Sequence, residues 1–538
     1  MKQINIITRR GFLDRSFKLG LGVALSSLLD IPLVVRRALA ESGIGLSGKK
    51  VLFIFLRGAN DSINAVIPTR DDGLYSLNGN SGSVRSDVRP DIGIPLDAID
   101  YTSSTIDSPV AGTNDTFFYE HAIRAGNGFA ALHPSLKFLC PSLQANDLAI
   151  LHRVGYPNQS RSHFDSQRYW ENGTPNNNGI QEGIFYRAMI ESGLAATAPL
   201  TGVSFQSALP LLLRGTGAAM TNLSDPTRYN LLGIPYPSGE AKSDAAIAAA
   251  NNFNFPHKLQ RDLLASQYRN LSQTLDIFAG IDFNETLQTL VDDPDTDGSG
   301  NAYRLFPTSD ATNGGGISSK YVVDTNAYSF MKNVRAAALV LNKTDAIVAG
   351  TEVGGWDTHN KQVDLGKPHE GTHADLLRRV GWAMYALRKY FTRYGRGNSA
   401  PSSTAKVNWD DIVVVTLSEF GRTTKQNGSV GTDHAEAGCM FVSGGSVNGG
   451  IYGCSPNDAV PWVTGNTGSL YGVQSRYLKR AYDYRSVLGK IIRDHLGATS
   501  DQLGRIIPGY ANPAENLNAT SPVSALDGTT IMGEPGII

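Results

Sequence analysis

The sequence predicts an α/β protein: a mostly parallel sheet with helices on both faces, carrying a large loop-rich and helical insertion. Three observations lead there. Short apolar runs rich in Val and Ile recur along the chain, as in fully buried strands. Amphipathic stretches of helical period lie between them. Carboxylates and histidines collect just past the carboxyl ends of the runs, the edge where open α/β sheets bind ligands.

The first forty residues have the parts of an export signal. Thr8-Arg9-Arg10-Gly11-Phe12-Leu13 resembles the twin-arginine motif. The apolar stretch from Leu19 to Val35 is broken by Asp30 and Pro32, too weak for a span of roughly 20 uncharged residues. Ala38-Leu39-Ala40 offers a cleavage site before Glu41. Residues 1–40 are therefore expected to be a signal peptide recognised by the twin-arginine export machinery, and residues 41–538 a periplasmic or secreted domain.

The strands are expected at VLFIFL (51–56), LAILHRV (148–154), AIVAGTEV (346–353), IVVVTL (412–417) and CMFVSG (439–444). The clearest helix is ADLLRRVGWAMYALRKYF, where Leu376, Leu377, Val380, Met384, Leu387 and Phe391 keep one face apolar. From about 197 to 332 the text loosens into Ala-, Asn- and Gly-rich segments, read as the insertion and as a surface for an envelope partner. Within it Asp293-Pro294-Asp295-Thr296-Asp297-Gly298 resembles the start of a calcium loop. Arg304 stands where the closing Glu belongs, which favours a solvated turn.

Composition narrows the function classes. A net charge of -1 with 18% charged residues leaves no basic stripe for nucleic acid. With three cysteines in 538 residues, cross-linking is not the main stabiliser. Cys439 and Cys454 are read either as a bridge or as two buried thiols. Neither CxxC nor a dinucleotide fingerprint is present, which counts against redox chemistry.

The chemistry collects in a few segments. Arg57-Gly58-Ala59-Asn60-Asp61 delivers a carboxylate after the first strand, and a plain turn Asp explains it equally well. Ser160-Arg161-Ser162-His163-Phe164-Asp165 follows the second; Ser162 with Asp165 reads as a helix start, and the hydroxyl is either an N-cap or a nucleophile. Gly354-Gly355-Trp356-Asp357-Thr358-His359 follows the third, and Asp357 with His359 suits zinc or manganese, in preference to a structural Asp-His hydrogen bond. His369 and His373 are taken as surface residues or an outer shell. Ser418-Glu419-Phe420-Gly421-Arg422-Thr423 follows the fourth, and Gly431-Thr432-Asp433-His434-Ala435-Glu436 leads into the fifth. Buried charges of mixed sign must be paired or hold a metal.

Taken together, LRGANDSINAVIP, LHPSL, SRSHFDSQRYWENG, GGWDTH, SEFGRT and GTDHAEAGCMFVSGG resemble the family called domain of unknown function 1501, which is similar to the alkaline-phosphatase-like superfamily of phosphatases and sulfatases. The resemblance implies that Asp61, Asp357, His359, Glu419 and His434 are ligands of divalent metal, whether zinc, manganese, magnesium or calcium. It further implies Ser162 as nucleophile, with Ser160 as the alternative, and Arg422 or Arg161 as the group that holds a small anionic ester. Phe420 occupies the place of a metal-binding His, so the second metal site loses a nitrogen ligand; Asp433 or His163 would have to compensate. The function expected is an exported metal-dependent hydrolase of a phosphate or sulfate ester. The alternative is a catalytically degenerate envelope binding or assembly protein of the same fold.

Overall fold

The computed structural model describes residues 43–45, 47–71, 88–103, 120–196, 200–226, 273–283, 304–313, 322–397, 405–463, 477–510 and 515–538, with a few isolated turns besides. The expected signal peptide, the calcium-like loop at 293–298 and most of the expected insertion lie outside the described residues.

A nine-stranded sheet forms the centre. In chain order its strands are β1 (Lys50–Leu56), β2 (Leu148–Gly155), β3 (Gly202–Phe205), β4 (Thr221–Leu223), β5 (Val348–Val353), β6 (Ile412–Leu417), β7 (Gly438–Ser443), β8 (Gly450–Tyr452) and β9 (Tyr482–Asp483). Their spatial order is β4-β3-β5-β1-β6-β7-β2-β8, with β9 paired to β2. All five strands expected from the sequence are present, and β1 runs parallel between β5 and β6.

The fifth departs from the simple parallel expectation, because β7 is antiparallel to both β6 and β2. Residues 418–437 between β6 and β7 form no helix. A parallel return needs a crossover, usually helical. The consequence is functional: β7 starts at the edge where β1, β5 and β6 end, so the loop before it meets the loops that follow them.

The sheet is buried on both sides. Leu52, Ile54 and Leu56 point into one core with α3 (Tyr328–Lys343) and α4 (Thr372–Tyr394), whereas Val51, Phe53 and Phe55 point into the other. That second core includes α2 (Ile184–Glu191), α5 (Tyr484–Lys490) and α6 (Ser500–Ile506). Alternation along one strand thus feeds two apolar layers, as continuous Val/Ile runs require. The apolar face read in α4, from Leu376 to Phe391, is buried throughout.

Part of the expected insertion is integral to the sheet, since β3 and β4 lie within it and pair through β3 to β5. Phe278, Phe283, Leu305 and Phe306 also enter the first core. Cys140, Cys439 and Cys454 are all buried and free, so the Cys439–Cys454 bridge is absent. Among the described residues no helix is long and apolar enough to cross a membrane.

Candidate metal centre

Four loops meet at the carboxyl edge of the sheet. Gly58 leads from β1 with φ +112, and a Cβ there would stand 2.6 Å from the Asp357 amide, so glycine lets the β1 and β5 loops touch. At Gly431 a Cβ would meet the His359 backbone at 2.4 Å. The β6–β7 loop is stapled to the β5 loop by bonds from Thr432 N to the Thr358 carbonyl and from Asn427 Nδ2 to the His359 carbonyl.

At this junction His359 Nε2 lies 2.8 Å from His434 Nε2 and 3.1 Å from Asp357 Oδ1, and His434 Nε2 lies 3.2 Å from the same oxygen. His163 Nε2 approaches Asp357 Oδ2 at 3.4 Å. Tetrahedral zinc with bonds of about 2.0–2.1 Å sets its ligands about 3.4 Å apart. The observed spacings run from hydrogen-bond distance, 2.8 Å, up to that of such a shell, 3.4 Å.

Each imidazole is fixed from behind. His359 Nδ1 faces Asp433 Oδ1 at 3.2 Å, His434 Nδ1 faces the Arg161 carbonyl at 2.8 Å, and His163 Nδ1 is bonded to Glu419 Oε2. A carbonyl or ionised carboxylate accepts only, so each Nδ1 carries a proton, and in a neutral ring Nε2 then presents a lone pair to the cluster. The 2.8 Å between His359 Nε2 and His434 Nε2 is bridged either by a proton on one of them or by a cation among the two rings and the carboxylate. Ligating histidines characteristically have such acceptors behind them.

Charge settings favour a charged Asp357 and a neutral His434, and they pull His163 the other way, toward the protonated ring. Burial opposes ionisation of Asp357, but the Arg422 guanidinium outweighs it and brings the carboxyl down to about 2. Burial, then Arg422, lowers His434 below the ordinary imidazole value and keeps it neutral. The hydrogen bond to Glu419 raises His163.

Of the expected ligands, then, Asp357, His359 and His434 converge. Asp61 takes a different role: fully buried, it accepts from Arg89 through both oxygens at 2.7 and 3.0 Å and from Gln362 Nε2 at 2.7 Å. Burial opposes its ionisation and Arg89 overrides this, holding it down at about 2. Glu419 is also removed from direct ligation. Its Oε1 accepts from the Gly58 amide at 2.7 Å and Gln167 Nε2 at 2.6 Å, while Oε2 is bonded to His163.

Arg422 is buried and fully committed. It donates to the carbonyls of Gly58, Ala59, Trp356 and Thr432 and, at 2.5 Å, to Asp357 Oδ1. It ties the β1, β5 and β6–β7 loops together instead of facing a substrate anion. Ser162 is the N-cap of α1 (His163–Asn172), its hydroxyl accepting from the Asp165 amide at 3.4 Å. Ser160 Oγ accepts from the Ser162 amide. The Arg161 guanidinium lies over the Tyr477 ring, 4.8 Å from its centroid, so only its carbonyl serves the cluster.

Phe420 is buried against the rings of His163 and His434, with centroids 5.0 and 4.7 Å away. It supplies an apolar wall. His373 is not at the surface: it is fully buried at the start of α4, with Nε2 3.0 Å from Asn60 Oδ1. Pro368 and Gly371 precede this helix, so they do not interrupt it. Its first turn carries His373 inward.

A family described as "Protein of unknown function (DUF1501)" matches residues 319–469. That stretch takes in Asp357, His359, Glu419, Arg422 and His434, supports the resemblance to the family, and leaves out Asp61 and His163. No curated protein and no solved structure matches the chain.

Proposed function

We propose that this chain is an exported hydrolase of phosphate or sulfate esters, of alkaline-phosphatase-like fold, working with one divalent metal held by Asp357, His359 and His434. The observation that carries the reading is the convergence of His359 Nε2, His434 Nε2 and Asp357 Oδ1, which lie 2.8 to 3.2 Å from one another. Nitrogen-rich donors favour zinc or manganese over magnesium and calcium, which take oxygen ligands. A metal bound there supplies Lewis acidity toward an ester oxygen or water.

The protein's own groups have separable tasks. Asp433 and the Arg161 carbonyl hold the His359 and His434 rings in the ligating tautomer. Arg422 fixes Asp357 and the loops on either side of it. Phe420 lowers the local dielectric and strengthens charge interactions beside it. Arg422 is buried and committed to carbonyls and to Asp357, so it does not serve as the group that meets an anion.

Asp61 engaged by Arg89, and Phe420 without a ligand atom, support a one-metal centre over a two-metal one. They also support a second reading, a metal-holding envelope protein without turnover. Purified protein loaded with zinc or manganese is assayed against aryl phosphates and aryl sulfates, with Asp357→Asn and His434→Ala as controls. Turnover lost in both controls sustains the hydrolase; bound metal with turnover no higher than in the controls favours the second reading.

A further inference from the structure

We propose that His163 is a fourth protein ligand of this centre and that Glu419 is its positioning residue, so that the resting metal is closed by three imidazoles and one carboxylate. The inference rests on the metal-centre reading above and adds to it the residue that controls access.

Among the described residues, His163, Asp357 and His434 form a group whose potential ligand atoms all lie within 4.8 Å of one another. His163 Nε2 is buried without a hydrogen-bond partner, although the acceptor Asp357 Oδ2 stands 3.4 Å away. Buried polar atoms are rarely left unpaired, and an atom that is calls for a missing partner. An ion pair with Glu419 accounts for Nδ1 and leaves Nε2 only a long contact to Asp357 Oδ2, at 3.4 Å. A cation between Nε2, Asp357 and His434 accounts for both.

Glu419 grips the whole segment that presents this ring. Its Oε1 accepts from Gln167 Nε2, its Oε2 is bonded to His163, and its backbone carbonyl accepts from Ser166 Oγ and Gln159 Nε2. The first turn of α1 is thereby fixed to the end of β6 from several directions. His163 also packs edge-on to His434, with ring centroids 4.4 Å apart. Such buttressing of a ring fits a ligand, whose rotamer must be held before the metal arrives.

Four-coordinate zinc closed by protein is the pattern of structural sites; catalytic ones keep a position open or expand to five. Asp357 and His359 keep 46% and 41% of their side-chain surface exposed. An entering oxygen ligand can therefore approach from that face, as the fifth ligand where His163 stays and as the fourth where it gives way.

Zinc X-ray absorption and chelator competition test this on the full chain. The wild type should show three imidazoles. His163→Ala should show two, with an added oxygen, and at least a tenfold weaker zinc affinity. Glu419→Gln should keep three imidazoles while binding about 10- to 100-fold more weakly. Circular dichroism and melting of both variants separate lost ligation from lost folding. Two imidazoles in the wild type, with unchanged spectrum and affinity in His163→Ala, overturn the proposal. If Asp357→Asn also changes nothing, the metal-centre reading falls with it; three imidazoles without ester hydrolysis would leave this inference standing and remove only the hydrolase.

Discussion

Arg89 and Asp61 pair through both carboxylate oxygens, at 2.7 and 3.0 Å, with neither side chain reaching solvent. The guanidinium also donates to Asn64 Oδ1 and to the carbonyls of Thr423 and Thr424. One internal cation thus joins the β1 loop to the segment after β6, just beneath the proposed centre.

That pairing sets an acid dependence. Asp61 is held at about 2 in the folded chain against 3.8 unpaired. A depressed carboxyl stabilises above its unfolded value and loses that contribution as pH falls from about 4 toward 2, here about 2 kcal/mol. Asp61→Asn should lose about 3 kcal/mol or more near neutrality, because Arg89 is left buried and unpaired. It should also flatten the stability decline below pH 4. Denaturant unfolding at pH 7, 4 and 3 measures both.

Arg422→Ala removes the donor that connects Gly58, Ala59, Trp356, Asp357 and Thr432. The expected cost is about 3 kcal/mol, with carbonyls left unsatisfied. Arg422→Lys should recover only part of it, since an ammonium cannot reproduce the planar fork. Urea unfolding midpoints rank the three proteins.

The thiols should stay inert. Burial pushes Cys439 up to about 12 and Cys454 higher still, and a thiol reacts as its thiolate. Without reductant the native protein should react negligibly with a thiol reagent, and the unfolded protein should expose all three cysteines. Fewer than three after unfolding would reveal a disulfide.

Export should depend on the paired arginines. Arg9→Lys with Arg10→Lys should leave the chain in the cytoplasmic fraction, whereas the parent is recovered outside it. Fractionation followed by immunoblotting reads this directly.

The strands and α4 were legible because unbroken apolar runs and helical period leave little choice of element. The direction of β7 was not, since CMFVSG reads alike either way; the helix-free loop before it carried the signal. That Asp357, His359 and His434 would meet was legible from Asp-x-His in a glycine-rich turn and from a Gly-flanked Asp-His. Glu419 misled because a carboxylate at a strand end looks the same whether it binds a metal or a histidine. Arg89 lies in no motif, so nothing marked it as the partner of Asp61. His163 was legible only as a substitute for the nitrogen that Phe420 cannot supply; its bond to Glu419 left no mark in the sequence.

The central claim is that Asp357, His359 and His434 hold a metal ion. Elemental analysis of the purified protein after loading with zinc or manganese and exhaustive dialysis tests it most directly. The account predicts one ion retained per chain in the wild type and almost none in Asp357→Asn. Equal retention by the two proteins, or none by the wild type, would contradict it.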